Sequence, residues 1–174
     1  MQWELTVPAR RHRRMWNRFR AAFDMAGERH VPGLGNAKTY ATYLRRVRQY
    51  KTGRRLPAGH VPASQYFLLD QSKREILGVI DIRHSLNEHL LHRGGHIGYA
   101  VAPSQRRRGY GTLQLRLALD VCRNMGLERV LITCDSDNTA SAKTIERCGG
   151  ILEDERLDAS GVPFKRYWVH LRWC

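Results

Sequence analysis

The chain has 174 residues, 42% of them hydrophobic, with 30 Lys plus Arg against 16 Asp plus Glu for a net charge of +14. That length suits one domain around one buried core, read here as residues 1–174, and no apolar run approaches the roughly 18 residues of a membrane span. The opening MQWELTVPARR lacks the apolar centre of a secretory signal, and Cys122, Cys134, Cys148 and Cys174 show no CxxC or metal-ligand spacing, so a cytoplasmic protein with reduced thiols, no metal and no membrane partner is expected.

In chain order, Trp3 to Val7 alternates as a first strand, and from about Pro8 to Glu28 the residues Met15, Phe19, Ala22 and Phe23 form one helical stripe. After the breaker Pro32-Gly33-Leu34-Gly35, a second helix carries Tyr40, Tyr43, Leu44, Val47 and Tyr50 at helical spacing. An amphipathic helix against a sheet predicts those aromatics as core, although a row of bases stacked on them would ask for the same spacing. Lys51 to Pro62 is a basic loop containing Pro and Gly. Tyr66 to Asp70 and Ile76 to Arg83 read as an antiparallel hairpin around Gln71 to Glu75. His84 to Arg93 breaks that pattern, with most of its histidines expected at the surface. Ile97, Tyr99 and Val101 then alternate as a strand that Pro103 ends, and Leu113, Leu117, Val121 and Met125 recur at helical spacing. Val130 to Cys134 is a short buried strand, Thr139 to Arg147 a helix stopped by Cys148-Gly149-Gly150, and Gly150 to Glu155 with Phe164 to Trp173 a closing hairpin that puts Tyr167, Val169 and Leu171 on one face.

Charge is unevenly spread: residues 1–60 hold 14 basic and 3 acidic residues, the rest 16 and 13. The excess belongs to the N-terminal helices. Such a patch suits RNA, an acidic protein surface or a cofactor's phosphates, and equally a solvated helix face.

The stretch between strand and helix, GHIGYAVAPSQRRRGYG from Gly95 to Gly111, carries the chemistry. Its amides enter a helix without intrahelical partners, the helix dipole adds positive charge, Gly109 and Gly111 permit close backbone approach, and Arg106, Arg107 and Arg108 add charged donors. These features ask for a diphosphate. No GxxxxGK[ST] is present, and no GxGxxG opens a βαβ unit. What stands there is Arg106-x-x-Gly109-x-Gly111, which resembles the acetyl-CoA signature [QR]xxGx[GA] of the GNAT superfamily of acyltransferases. Val101 and Pro103 match the V-x-P that precedes that signature, and Asn138, Ser141 and Gly149 match the N-x-x-[AS] and later glycine of the next helix. The resemblance spans roughly residues 75 to 155.

The resemblance implies an α/β GNAT fold: a mixed, mostly antiparallel central sheet flanked by helices, in the order β-αα-βββ-α-β-α-ββ. It implies acetyl-CoA as cosubstrate, held by Val101 and by Arg106, Arg107, Arg108, Gly109, Tyr110 and Gly111, with Asn138 and Ser141 in support, and direct acetyl transfer to a primary amine on a small molecule or peptide. Ile145 stands where many members have the tyrosine that protonates the CoA thiolate, and Asn138-x-x-Ser141 with Glu146 looks more like the branch that acetylates ribosomal-protein N-termini.

An alkylammonium must lose a proton before it attacks, its unperturbed pKa being about 10.4. His96, on the cofactor strand, is the first candidate base, Glu88 the second, and Tyr167 a substitute acid should the last hairpin cross the site. Each also has a structural reading: a hydrogen-bonded strand histidine, a solvated loop glutamate and a sheet tyrosine. Two other functions suit the same fold, a basic RNA- or ribosome-associated protein and a catalytically silent CoA-binding module. Edge strands with Trp168 or Trp173 could support a homodimer.

Overall fold

The computed structural model describes residues 3–72 and 74–171. Its strands are β1 (Trp3–Thr6), β2 (Ala63–Asp70), β3 (Glu75–Arg83), β4 (Ile97–Val101), β5 (Arg129–Asp135), β6 (Gly150–Leu157) and β7 (Pro163–His170), and its α-helices are α1 (Arg13–Met25), α2 (Tyr40–Thr52), α3 (Glu88–His92), α4 (Tyr110–Asn124) and α5 (Thr139–Arg147). The order matches expectation except for α3, a short helix inside the segment read as a break. Asn87 starts it by accepting from the Leu90 amide, and the buried Arg166 of β7 holds its end through the Leu91 carbonyl.

The expected central sheet is divided in two. One sheet runs β1-β2-β3-β4 and the other β5-β7-β6, both antiparallel. A single isolated bridge, Gly95 to Ile132, joins them. Beyond it β4 and β5 part, so the edge of β4 that faces away from β3 has no strand partner among the described residues.

Alternation along the strands divides the core. Phe67 and Val79 point towards α1 and α2, where Trp16, Phe19, Phe23, Tyr40 and Tyr43 are buried with them. Tyr43 stacks on Phe67 with ring centroids 5.8 Å apart, so Tyr40 and Tyr43 are packing and not a platform for bases, whereas Tyr50, expected in the same row, is only half-buried and meets His60. Ile80, Ile82 and Ile97 point the other way, towards α4 and α5. The Leu113, Leu117 and Val121 stripe is only half-buried, and the closed face of α4 is Gln114, Leu115, Ala118, Leu119 and Cys122. Small residues explain the rotation, since Ala118 and Cys122 let the helix axis approach the sheet more closely than leucines at those positions would.

The closing hairpin forms as expected, with Tyr167, Val169 and Leu171 buried together. Its expected last residues, Trp173 among them, lie outside the described residues, as does Cys174. No described helix is long and apolar enough to cross a membrane, and no metal-ligating cluster is found among the described residues.

Candidate functional site

β4 ends at Val101, one 3-10 turn follows over Pro103–Gln105, and Arg106 to Gly109 then lead into α4. Arg107 and Gly109 have φ of 60° and 82°, in the left-handed region, which turns successive amides towards one concavity. The amides of Arg107, Arg108 and Gly109 meet no backbone acceptor among the described residues, and those of Tyr110, Gly111 and Thr112 are free as at any helix start. Gly109 is the N-cap and no side chain caps the helix. A Cβ on Gly109 would meet nothing within 4 Å, so the space over the loop is open. Converging amides, a helix N-terminus and the exposed Arg107 and Arg108 fit the diphosphate of a nucleotide cofactor.

Arg106 is placed differently from expectation. Its guanidinium makes a bidentate pair with Glu28 at 2.8 and 2.7 Å, its Nε donates to the Val101 carbonyl at 3.2 Å, and its plane lies over Phe23. Held on three sides, it braces the loop against the end of α1 and does not offer its fork to a phosphate. Arg106 in turn holds the Glu28 carboxyl below its usual range. Tyr110 sets its ring edgewise to Trp3 at 6.1 Å.

At the fork between the two sheets, His96 donates its amide to the Leu131 carbonyl at 2.7 Å and accepts the Leu131 amide on Nδ1 at 3.0 Å. That second bond fixes the tautomer: Nδ1 is an acceptor, so the neutral ring carries its proton on Nε2. The side chain is 6% exposed. Burial, with the charges of Arg83 and Arg129, lowers its pKa to about 4. His96 therefore extends a broken ladder with a side-chain acceptor. It is neutral at pH 7 with no free lone pair, which argues against its expected role as base.

Past this point Tyr99 reaches from β4 to α5, where its hydroxyl lies 3.0 Å from Ser141 Oγ. Burial pushes the Tyr99 phenol up to about 12. Asn138 caps α5, its side chain accepting the Ser141 amide at 3.0 Å. Val101, Tyr99, Ser141 and the Arg107 to Gly111 loop thus converge on the opening between β4 and β5.

The other two candidates are held differently. Glu88 is exposed in the first turn of α3, and no ion pair or side-chain hydrogen bond of its own is found among the described residues. Tyr167 is buried in the core behind α5 and donates to Glu146 Oε1 at 3.2 Å; desolvation raises its pKa to about 12. Arg93 pins the β6–β7 turn through Asp158 at 2.5 Å and the end of β5 through Asp135 at 2.6 Å. Trp168 is engaged within the chain, with the Arg129 guanidinium 4.2 Å from its ring centroid.

Asp81 and Tyr99 are functional candidates that sequence reading missed. A carboxylate inside the apolar run ILGVIDI was a visible signal for Asp81. Tyr99 was read for its strand position and for the backbone N–H groups from Tyr99 to Val101 as oxyanion donors, and its hydroxyl was not considered.

Comparison with known proteins agrees with this geometry. The family model described as acetyltransferase (GNAT) domain matches residues 13–151. No curated protein matches the sequence significantly. Among solved structures, the ribosomal-protein-S5-alanine acetyltransferase from Vibrio fischeri superposes with a TM-score of 0.74 at 14% identity, covering 98% of this chain and 93% of that one. RimL, a ribosomal L7/L12 α-N-protein acetyltransferase solved with coenzyme A disulfide-linked to a cysteine, gives 0.73 at 16% identity, covering 98% and 95%. The microcin C7 self-immunity acetyltransferase MccE, solved with acetyl-CoA and AMP, gives 0.69 at 18% identity, covering 97% and 92%. At such identities the likeness is one of fold.

Proposed function

Since the chain belongs to the GNAT acetyltransferase family, we propose that it acetylates a primary amine by direct attack in a ternary complex, with acetyl-CoA as cosubstrate. The observation that carries this reading is the placement of the cradle. Free amides of residues 107–112 stand at the end of β4, whose outer edge is itself unpaired, so one linear ligand can span both. Acetyl-CoA supplies the activated acyl group.

The residues of this chain bind, orient and manage protons. Amides of the Arg107 to Gly111 loop hold the diphosphate, and the unpaired edge of β4 offers sheet-like hydrogen bonds to an extended arm. Holding the two reactants together supplies much of the rate by itself. An amide on that same edge is placed to donate to the oxygen that becomes negative in the tetrahedral intermediate. The Tyr99–Ser141 hydroxyl pair borders the opening, and its position suits the phenol as a proton source for the departing thiolate, although burial makes it a weaker acid than a free phenol. This assigns to Tyr99 the role that family members give to a tyrosine at the position of Ile145, which is buried in the core.

A calorimetric titration with CoA and a thiol-release assay across amines test the reading together. Binding with amine-dependent thiol release is expected. No CoA binding by the folded protein would overturn it, and binding without release to any amine would leave a silent CoA-binding module instead.

A further inference from the structure

On the face of the first sheet opposite α4, a cavity of about 330 Å³ opens between α2, the 53–62 loop, α3 and strands β2 and β3. It runs beside β4. Asp81, in its wall, is the ladder partner of Gly98 on β4. Gly98 has no side chain, and a Cβ there would stand 3.3 Å from Pro32 and 3.5 Å from Arg83 Nη2, so these two residues cover β4 on this face and Arg83 stands between the strand and the cavity.

The polar groups of this cavity are incompletely paired. Asp81 is 8% exposed, and Arg83 Nε stands 3.4 Å from its Oδ2. Burial raises the Asp81 pKa, while Arg83 and the Gln65 amide pull the other way. Gln65 is 7% exposed, and its Oε1 is buried with no hydrogen-bond partner. An orphaned buried acceptor is costly, about 1–3 kcal/mol, unless something fills it. Arg83 spends Nη1 on the Gly94 and Gly95 carbonyls, at 3.0 and 3.2 Å, and Arg46 spends Nη2 on those of Gly33 and Leu34, at 3.3 and 2.5 Å. No hydrogen-bond partner is found for Arg83 Nη2 or Arg46 Nη1 among the described residues. The walls therefore present one carboxylate, one empty amide acceptor and two guanidinium groups with donors to spare.

We propose that this cavity is the acceptor site and selects a small zwitterionic amine, its ammonium received by Asp81 and Gln65 Oε1 and its anionic group, carboxylate or phosphate, by Arg46 and Arg83. This rests on the acetyltransferase reading and narrows its acceptor. The volume fits a molecule near the size of an amino acid. A polycationic acceptor is disfavoured, because one carboxylate faces two guanidinium groups and residues 1–60 hold 14 basic against 3 acidic residues.

Matched acceptors measure the preference as kcat/KM: an amino acid against its amide for the carboxylate arm, phosphoethanolamine against ethanolamine for the phosphate arm, and spermidine as the polycation. The anionic member of at least one pair should lead by about tenfold or more, since a charge-assisted hydrogen bond is worth at least that ratio. Spermidine should trail both anionic members. Arg46→Met should shrink the ratio, and Asp81→Asn should lower kcat/KM for every amine while CoA affinity stays within a few-fold. Preference for the uncharged members or spermidine overturns the proposal, and this wild-type comparison decides even where a variant fails to fold. Failure of every zwitterionic amine while acetyl-CoA still binds also overturns it. Loss of acetyl-CoA binding by the wild-type protein would instead sink the acetyltransferase reading beneath it.

Discussion

Gly109→Val tests the cradle through its backbone conformation and through the open space above it. The position has φ of 82° and an ideal Cβ there touches nothing within 4 Å, so the substitution introduces strain without a clash. A left-handed conformation costs an L-residue roughly 1–2 kcal/mol, and more for a β-branched one. The loop then has two outcomes. It can keep its shape and carry the strain, or it can relax and turn its amides out of the concavity, where each lost hydrogen bond to a charged phosphate is worth about 1.5–3 kcal/mol. On the second course CoA affinity falls by at least about tenfold, equivalent to roughly 1.4 kcal/mol. The branched side chain also stands in the open space over the loop and adds to the loss on the first. Titration calorimetry with CoA reads the affinity, and thermal unfolding without ligand reports the strain separately. Gly109→Ala keeps part of the strain without the branch and should fall between the two. A folded Gly109→Val with wild-type CoA affinity would refute the assignment of the diphosphate to this loop.

Tyr99→Phe removes the hydroxyl beside Ser141 and should lower kcat by about tenfold or more with little change in CoA affinity; an unchanged kcat would pass the proton donation to water. His96→Ala orphans the buried Leu131 amide and should destabilise the fold by about 1–3 kcal/mol in denaturant titration, while any rise of rate with pH persists; loss of that limb would restore the histidine as base. Burial holds the folded pKa of His96 at about 4, below its ordinary value of 6.5, so its contribution to stability is complete above about pH 6.5 and is lost as pH falls towards 4. Melting temperatures of the wild type should drop across that window, and His96→Ala should flatten part of the slope. Gly78→Ala sets a Cβ 2.9 Å from the Ala100 carbonyl and into the Gln114 side chain, and about 1–3 kcal/mol of destabilisation is expected from overpacking.

What could be read from the chain before folding was whatever depends on neighbours in sequence. A loop that needs left-handed residues announces itself through glycine, and an amphipathic helix through its period, so α1, α2, the hairpins and the 106–111 loop were legible. The helix face was less so: Leu113, Leu117 and Val121 lie at helical spacing, yet so do Leu115, Ala118, Leu119 and Cys122, and it is the second stripe that the sheet covers. Ionisable groups were the least legible, because their roles are set by partners far along the chain. Arg106 meets Glu28 from 78 positions away, His96 meets Leu131 from 35, and Tyr99 meets Ser141 from 42. A histidine with a reference pKa near neutrality attracts attention as a base until the amide that occupies its lone pair is known. Asp81 shows the converse: the apolar run ILGVIDI marks it as a carboxylate in an apolar strand, but its potential for chemistry comes from being buried beside an unpaired Gln65 oxygen and the guanidinium of Arg83. A buried charge is tolerable only when its surroundings answer it. Here they answer in part, and the unfilled remainder is what a charged substrate would complete.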